Sequence, residues 1–280
     1  MSAPSLPSLL VSHWHPSGFV DLAVAAAAGL YIWGTLRTRT PWPLRRTASF
    51  LAGLACVVVA VDSGVGAYDD RLLSVHMVQH MLLLLVAPLL LLTGRPVILA
   101  LRTLPVPRRR SLAAALYRTA AVTRPAVCLT AFWAVLLLTH LPAFYDATLR
   151  HPALHEAEHT LYLTAGLLLW WPLLDVDPVP AHRLGGLGRL VYLLATMPPM
   201  AIIGAYLNRH LTLVYSAYGP PAHAMGISAV IDQQQAGAIM WVAGSVVMIA
   251  VGLWAAIAAL VAEERRQQAR EARAIGGSVL

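Results

Sequence analysis

Long apolar runs, separated by short polar stretches, follow one another along most of the 280-residue chain. Each run has about 20 residues, which is the length an α-helix needs to cross the hydrocarbon core of a bilayer. Proline, glycine and arginine are frequent in the stretches between the runs. The pattern predicts seven transmembrane helices, over residues 19–36, 48–66, 74–93, 125–140, 152–174, 190–207 and 236–262.

Arginines are distributed unevenly among the connecting stretches. Several arginines follow each odd-numbered run, in residues 37–46, 95–118, 183–189 and 265–273, whereas the alternate loops contain only Arg71, Arg150 and Arg209. Cytoplasmic loops of membrane proteins carry an excess of positive residues. We therefore expect an all-α polytopic helix bundle with its N-terminus outside and its C-terminus in the cytoplasm. Residues 1–18 would be extracytoplasmic, 19–262 the membrane domain, and 263–280 a charged cytoplasmic tail.

The composition agrees with a protein that lies in a lipid bilayer. Hydrophobic residues make up 58% of the chain and charged residues 12%, whereas soluble domains carry about 25% charged residues. The net charge of +7 sits in short loops, where it indicates topology. No stretch combines basic residues with aromatics as a nucleic-acid-binding surface does, so we expect no nucleic-acid partner. An oligomer is compatible with this composition.

The histidines are concentrated on one predicted side of the membrane. Histidine is costly in hydrocarbon and is the commonest metal ligand. Histidines placed only for packing would not sort by side, so the distribution predicts a metal site on the extracytoplasmic face. The outer histidines are His13, His15, His76, His80, His140, His151, His155, His159, His210 and His223, and His182 is the cytoplasmic one.

Two pairs of histidines have helical spacing at the outer ends of predicted spans. His76 and His80 open the third span, and His155 and His159 open the fifth. Residues four apart lie on the same face of a helix, about 5–6 Å from each other. Two imidazoles in that arrangement can share one ion with ligands from another helix. Because both pairs lie at a similar depth, we expect them to form one site.

Other residues near these pairs are candidate ligands, each with a structural alternative. His140 ends span four and is either a further ligand or an interface residue. Met77 offers a thioether that suits Cu(I), although methionine is common core filler. Asp62 is an acid near the outer end of span two and is either functional or a solvated helix end. Asp232 precedes span seven and either caps that helix or supplies an oxygen ligand. Glu158 is a possible orienting group or a helix-start charge.

Prolines interrupt two of the predicted spans. Pro198 and Pro199 are expected to break span six, and Pro88 is expected to bend span three. A proline removes one backbone hydrogen bond, so the carbonyl it frees needs a partner from protein or water.

The motifs around these residues resemble the CtaG family of multi-span cytochrome c oxidase assembly factors. Their order and spacing extend over most of the chain from Asp62 to Trp254, which makes the resemblance more specific than any single motif. The matching segments are HMVQHM at 76–81, APL at 87–89, GRP at 94–96, THLP at 139–142 with Tyr145, HEAEH at 155–159, WWP at 170–172, DQQ at 232–234, Gly237, and MW at 240–241.

The resemblance implies a protein of the bacterial plasma membrane with about seven spans. It also implies a role in maturing a haem–copper oxidase, by supplying or handling copper for an oxidase subunit. Copper would then pass on by ligand exchange at an exposed outer site, and the protein would not be an enzyme.

Two other readings fit the same residues. A membrane-embedded zinc-dependent hydrolase would use the histidines for zinc and Asp62 or Asp232 as base for a zinc-bound water. A haem-binding electron carrier would use histidines as axial ligands, but pairs only four residues apart leave room for at most one haem on this face. Copper is the expected metal, with zinc as the alternative.

Overall fold

The computed structural model describes residues 13–174 and 184–254, together with positions 257, 261, 264, 267 and 268. Every regular element within these residues is helical, which confirms the predicted all-α class. His182, the histidine predicted to be cytoplasmic, lies outside the described residues. So do Arg183 and most of the predicted tail 263–280.

The helices follow one another with short connections, as expected for a bundle. Two π-helical turns, Leu82–Val86 and Ile239–Ala243, and a 3₁₀ turn, Ser216–Tyr218, lie between them. In chain order, the α-helices of the described residues are α1 (Phe19–Arg37), α2 (Leu44–Asp62), α3 (Gly64–Tyr68), α4 (Leu73–Met81), α5 (Ala87–Thr93), α6 (Pro96–Thr103), α7 (Val106–Thr119), α8 (Pro125–Thr139), α9 (Pro142–Arg150), α10 (Pro152–Trp170), α11 (Gly186–Arg209), α12 (Gly219–Ala224) and α13 (Ala229–Ala238).

Five helical segments of the described residues are long and apolar enough to cross a membrane. They correspond to the first, second, third, sixth and seventh predicted spans, and they confirm a multi-pass membrane protein. The last of them begins earlier than predicted, so the polar residues 232–235 lie within its first turns and not before it. The five segments are Phe19–Arg37, Leu44–Tyr68, Leu73–Thr103, Gly186–Arg209 and Ala229–Trp254.

The fourth and fifth predicted spans are not among these five segments. Helices α8 and α9 meet at an angle of 73°, and they form a sixth crossing only if the bent pair is one span. The bend falls at Pro142, because the residue before a proline is disfavoured in the helical region and Leu141 is extended (φ −64°, ψ 129°). Helix α10 has the length of a span but is not among the apolar segments, so a seventh crossing stays a prediction.

The third span continues through Pro88, with a wider helical turn just before the proline. The helix passes through the π-helical turn just before α5, where the N–H of Ala87 bonds to the carbonyl of Leu82, five residues back. The indole of Trp170 on α10 donates a hydrogen bond of 3.0 Å to the carbonyl of Leu85. The expected interruption is therefore an irregular turn held by a neighbouring helix.

The predicted break at Pro198 and Pro199 is wrong, because α11 runs through both prolines without interruption. Pro199 has no N–H for the carbonyl of Ala195, four residues earlier. The indole of Trp133 on α8 donates to that carbonyl at 2.8 Å. A hydrogen bond from a neighbouring helix thus replaces the one that the proline removes.

A glycine allows α10 to approach the irregular part of the third span. A Cβ on Gly166 would lie 2.2 Å from the carbonyl oxygen of Leu84 and 2.5 Å from the Cγ of Pro88. These distances are far below van der Waals contact, so the two backbones meet only because the side chain is absent. This contact fixes α10 against the segment that begins with α4.

We predict that Gly166→Ala destabilises the purified protein by about 1–3 kcal/mol, the usual cost of overpacking. The midpoint of thermal unfolding in detergent measures the effect. Gly29→Ala on α1 is the matched control, since a Cβ there meets no atom within 4 Å. Equal midpoints for the two variants would contradict the close approach.

Candidate metal centre

Helix α4 begins where a carboxylate from a distant helix receives its first backbone donors. Asp232 on α13 accepts hydrogen bonds from the N–H of Leu73 at 2.6 Å and from the N–H and hydroxyl of Ser74. The first N–H groups of a helix have no partner within it, so this carboxylate caps α4 from outside. The cap fixes the turn that carries His76 and His80, which are both fully buried.

Helix α10 presents the second set of polar side chains. Pro152 lies in its first turn, where the missing N–H is not needed. His155, Glu158 and His159 follow at spacings of three and four, so they share one face of the helix. Glu158 is 1% exposed and His159 is 7% exposed. The predicted histidine pair is therefore joined by a buried carboxylate.

A first group of possible ligands consists of Asp69, His155 and His159. Asp69 lies in the short connection between α3 and α4. Its Oδ2 is 3.8 Å from the Nε2 of His155 and 4.0 Å from the Nε2 of His159. One atom from each of the three residues lies within 4.8 Å of the others, which is a spacing that one ion can span.

A second group consists of His76, His155 and Glu158, and it shares His155 with the first. The Nε2 of His76 lies 3.8 Å from one carboxylate oxygen of Glu158, and the Nε2 of His80 lies 3.8 Å from the other. The Nε2 atoms of His76 and His80 are 2.8 Å apart. The structure thus brings the two predicted pairs, from α4 and α10, into one cluster.

Tyr218 selects the nitrogen that His76 presents to the cluster. Its hydroxyl donates to the carbonyl of Asp69 at 2.9 Å and lies 2.6 Å from the Nδ1 of His76. Because the hydroxyl proton is already used, the tyrosine accepts from Nδ1–H. The Nε2 of His76 then keeps its lone pair, as a metal-binding histidine oriented by its other nitrogen does.

Gln79 connects the two helices beneath the cluster. Its amide nitrogen donates to Oδ2 of Asp69 at 2.7 Å and to the carbonyl of Ala60 at 2.9 Å. Its amide oxygen accepts from the Nε2–H of His159 at 2.9 Å, which leaves the Nδ1 of His159 as the nitrogen with a free lone pair. Gln79 therefore holds a candidate ligand on each side at a fixed distance.

Several polar atoms of the cluster are buried and have no hydrogen-bond partner among the described residues. Burying such atoms without a partner costs about 1–3 kcal/mol each, and more when the group is charged. The set pairs imidazole nitrogens with carboxylate oxygens, which are donors that bind Cu²⁺ and Zn²⁺. It therefore suits a divalent cation. The atoms are the Nδ1 of His80, the Nε2 of His155, the Nδ1 of His159 and both carboxylate oxygens of Glu158.

His140 lies beside the cluster and outside both three-residue groups. Its ring centre is 6.4 Å from that of His80. Its Nδ1 bonds to the carbonyl of Leu136 at 2.8 Å, and its Nε2 is buried without a partner in the described part of the chain. Its Nε2 is therefore an unpartnered nitrogen beside the cluster and not a member of either group.

The structure gives the other predicted ligands different surroundings. Met77 is fully buried in the main hydrophobic core, packed as filler between helices. Asp62 ends α2 and accepts a hydrogen bond from the N–H of Ser17. Asp232 serves as the cap of α4. Neither carboxylate belongs to the three-residue groups found in the described residues.

Sequence reasoning missed Asp69 and undervalued Glu158. Asp69 stands next to Asp70 in what reads as an ordinary polar turn, and its place shortly before His76 is the one sequence signal of a role. The sequence leaves Glu158 open between an orienting group and a helix-start charge. Its spacing of three from His155 was the signal that it shares the face of the histidines.

Burial raises the pKa of Asp69 to about 7, with a smaller contribution from the negative charge of Asp70. Near neutral pH this carboxyl is therefore only partly ionised before a cation arrives. A cation that binds there competes with a proton, so its affinity is expected to depend on pH.

The fold and this cluster define a multi-span membrane protein with a buried candidate metal centre. Over residues 29–261 the chain matches the family described as cytochrome c oxidase caa3 assembly factor (Caa3_CtaG), and it belongs to that family. The family membership confirms the resemblance found in the sequence motifs.

Mycobacterial proteins are among the relatives of the chain. It is 33% identical over 264 residues to uncharacterized proteins of Mycobacterium bovis and Mycobacterium tuberculosis, and 30% identical to one of Mycobacterium leprae. The matches cover 89–90% of this chain and 39% of each relative, so the chain spans about two fifths of their length. No solved structure gives a significant match.

We predict that Asp69→Asn weakens Cu²⁺ binding by about tenfold or more, because the variant keeps the shape but loses the charge. In the wild type, the affinity should fall by about tenfold per pH unit below pH 7 through the proton on Asp69, and this component should be absent in the variant. Isothermal titration of the detergent-purified protein between pH 6 and pH 8 measures both, with pH values chosen around the pKa of about 7.

Asp70→Asn is the matched control, since the side chain of Asp70 is 61% exposed, pairs with Arg71 and belongs to neither three-residue group. Its affinity at pH 8 should follow that of the wild type, and its pH dependence should remain but shift slightly to lower pH, because the charge of Asp70 contributes to the raised pKa of Asp69. An Asp69→Asn variant with unchanged affinity and profile would remove Asp69 from the site.

Proposed function

We propose that the chain binds copper as cargo and supports the maturation of a copper centre in a haem–copper oxidase. One observation carries the proposal: imidazoles from α4 and α10 converge with two buried carboxylates, and several of their donor atoms lack hydrogen-bond partners among the described residues. Membership in the caa3 assembly-factor family supports the link to cytochrome c oxidase. The expected partner is the oxidase subunit that receives the ion.

The donor set alone fits copper and zinc equally. Cys56 and Cys128 offer no thiolate to the cluster, because their sulfurs contact the carbonyls of Leu82 and Val122. Imidazole and carboxylate ligands favour Cu²⁺ or Zn²⁺ over thiolate-bound Cu⁺. The link of the family to an oxidase that contains copper favours Cu²⁺. A zinc-dependent hydrolase is the second candidate, and Asp69 or Glu158 would then be the base.

Transfer of cargo requires ligands that exchange one at a time. His155 belongs to both three-residue groups, and its side chain is 15% exposed whereas those of His76 and Glu158 are fully buried. An ion held with Asp69 and His159 can exchange these ligands for His76 and Glu158 while His155 stays bound. Ligand exchange of this kind moves the ion by a few ångströms, and the only bonds that break and form are those between the ion and its ligands.

We further propose that the cluster faces the extracytoplasmic side of a bacterial plasma membrane. His76 and Arg102 lie near opposite ends of the 31-residue segment Leu73–Thr103. The arginines of α7 follow that second end directly. Since arginine-rich loops stay in the cytoplasm, the histidine end would lie outside.

We predict that His155→Ala lowers the Cu²⁺ affinity of the purified protein by about tenfold or more, since the residue serves both groups. In cells, the same variant should insert normally but leave the oxidase with less copper and lower activity. The measurements are metal analysis of the purified protein, and copper content and turnover of the oxidase in isolated membranes. His223→Ala is the control, because His223 is exposed and belongs to neither group.

A fully copper-loaded and active oxidase in the His155→Ala strain would contradict the proposal. Purified wild-type protein that takes up zinc at one equivalent and no copper would favour the hydrolase instead.

A further inference from the structure

An apolar groove lies on the surface of the bundle, between the C-terminal half of α1 and helix α6. Its volume is about 290 Å³, and its lining includes Leu30, Tyr31, Trp33, Leu99 and Ala100. Leu30 is 69% exposed and Trp33 is 45% exposed, so the groove opens toward the surroundings of the bundle. In a membrane-spanning protein those surroundings are lipid. Neither the metal centre nor the proposed function involves this groove.

Two aromatic side chains are fixed at one end of the groove. The hydroxyl of Tyr31 donates a hydrogen bond of 2.7 Å to the carbonyl of Gly94, and it accepts one of 3.0 Å from the indole N–H of Trp42. Trp42 is therefore held against a residue of the groove lining. Tryptophan and tyrosine are enriched at the level of the lipid headgroups. This end of the groove is thus expected at the boundary between hydrocarbon and water.

Three arginines stack on tryptophans at the same end of the groove. The guanidinium carbon of Arg46 lies 4.9 Å from the ring centre of Trp42, and that of Arg102 lies 5.6 Å from the same ring centre. The guanidinium carbon of Arg37 lies 5.1 Å from the ring centre of Trp33, which lines the groove. The groove therefore ends in a cluster of positive charge, formed by these three arginines.

The arginine cluster has no counter-charge among the described residues, since none of its members forms an ion pair with a carboxylate there. Residues 22–61 and 71–145, which include every residue of the groove and of the cluster, contain no Asp or Glu. Neighbouring guanidinium groups repel each other, and an anion bound between them relieves the repulsion. The planar guanidinium binds phosphate through two parallel hydrogen bonds. The cluster therefore suits a phosphate group.

We infer that the groove binds one anionic phospholipid, with an acyl chain between α1 and α6 and the phosphate at Arg46 and Arg102. An apolar groove with a phosphate-binding cluster at one end matches the two parts of such a lipid. A second copy of the chain suits the groove less well, because a symmetric contact through this face would place one set of arginines against another. The inference concerns lipid and is independent of the proposed copper function.

The test measures lipid binding to the full chain in detergent by native mass spectrometry, which also reports the oligomeric state. The probes are phosphatidylglycerol and phosphatidylcholine with identical acyl chains. The site variant is Arg46→Gln/Arg102→Gln. The matched control is Arg108→Gln/Arg109→Gln on α7, which removes the same charge from exposed side chains outside the groove. Ala100→Phe fills the groove at constant charge. Thermal unfolding without added lipid confirms that each variant is folded.

We expect the wild type to bind phosphatidylglycerol about tenfold or more tightly than phosphatidylcholine, since each arginine near an anionic lipid contributes about fivefold. The site variant should lose this preference and the control should keep it, whereas Ala100→Phe should bind both lipids more weakly. Equal affinity of the wild type for the two lipids, equal losses in the site variant and the control, or wild-type binding by Ala100→Phe would overturn the inference. So would a dimer that Ala100→Phe dissociates, because the groove would then hold a second copy.

Discussion

Two carboxylates buried among histidines are the constraint on which the rest of the site depends. Asp69 and Glu158 are almost fully enclosed, and neither finds a salt-bridge partner in a permanently charged side chain among the described residues. A buried unpaired charge costs several kcal/mol, so such groups are normally paired or bind metals. A cation held jointly with the imidazoles resolves this cost. Gln79 and Tyr218, which hydrogen-bond to residues of the cluster, keep its donor atoms in place before a cation binds.

The helices are held by contacts that tolerate local irregularity. Trp133 donates to the carbonyl that Pro199 leaves without a partner, and Trp170 donates to a carbonyl within the first π-helical turn. Gly166 allows two backbones to come into contact. Irregular helical turns of this type occur frequently at functional sites. Here the first π-helical turn begins at Leu82, two residues after His80, so the irregular segment and the cluster are parts of the same continuous helical segment.

The sequence predicted the helices and the histidine pairs because both depend on local periodicity. Runs of apolar residues indicated the spans, and the spacing of four placed His76 with His80 and His155 with His159. The sequence could not assign Asp69 to the metal site. Two adjacent acids in a loop look alike until tertiary packing buries one and exposes the other. The cap from Asp232 to α4 joins residues far apart in the chain, so no local pattern reveals it.

The central claim is that imidazoles from α4 and α10 hold the same ion. Electron–nuclear double resonance on the Cu²⁺-loaded protein, with histidine labelled by ¹⁵N, tests it most directly. The account predicts hyperfine couplings from more than one imidazole nitrogen at a single copper centre, with one coupling lost in His76→Ala on α4 and another lost in His155→Ala on α10. A copper signal without ¹⁵N-imidazole coupling, in protein that has bound the ion stoichiometrically, would contradict it.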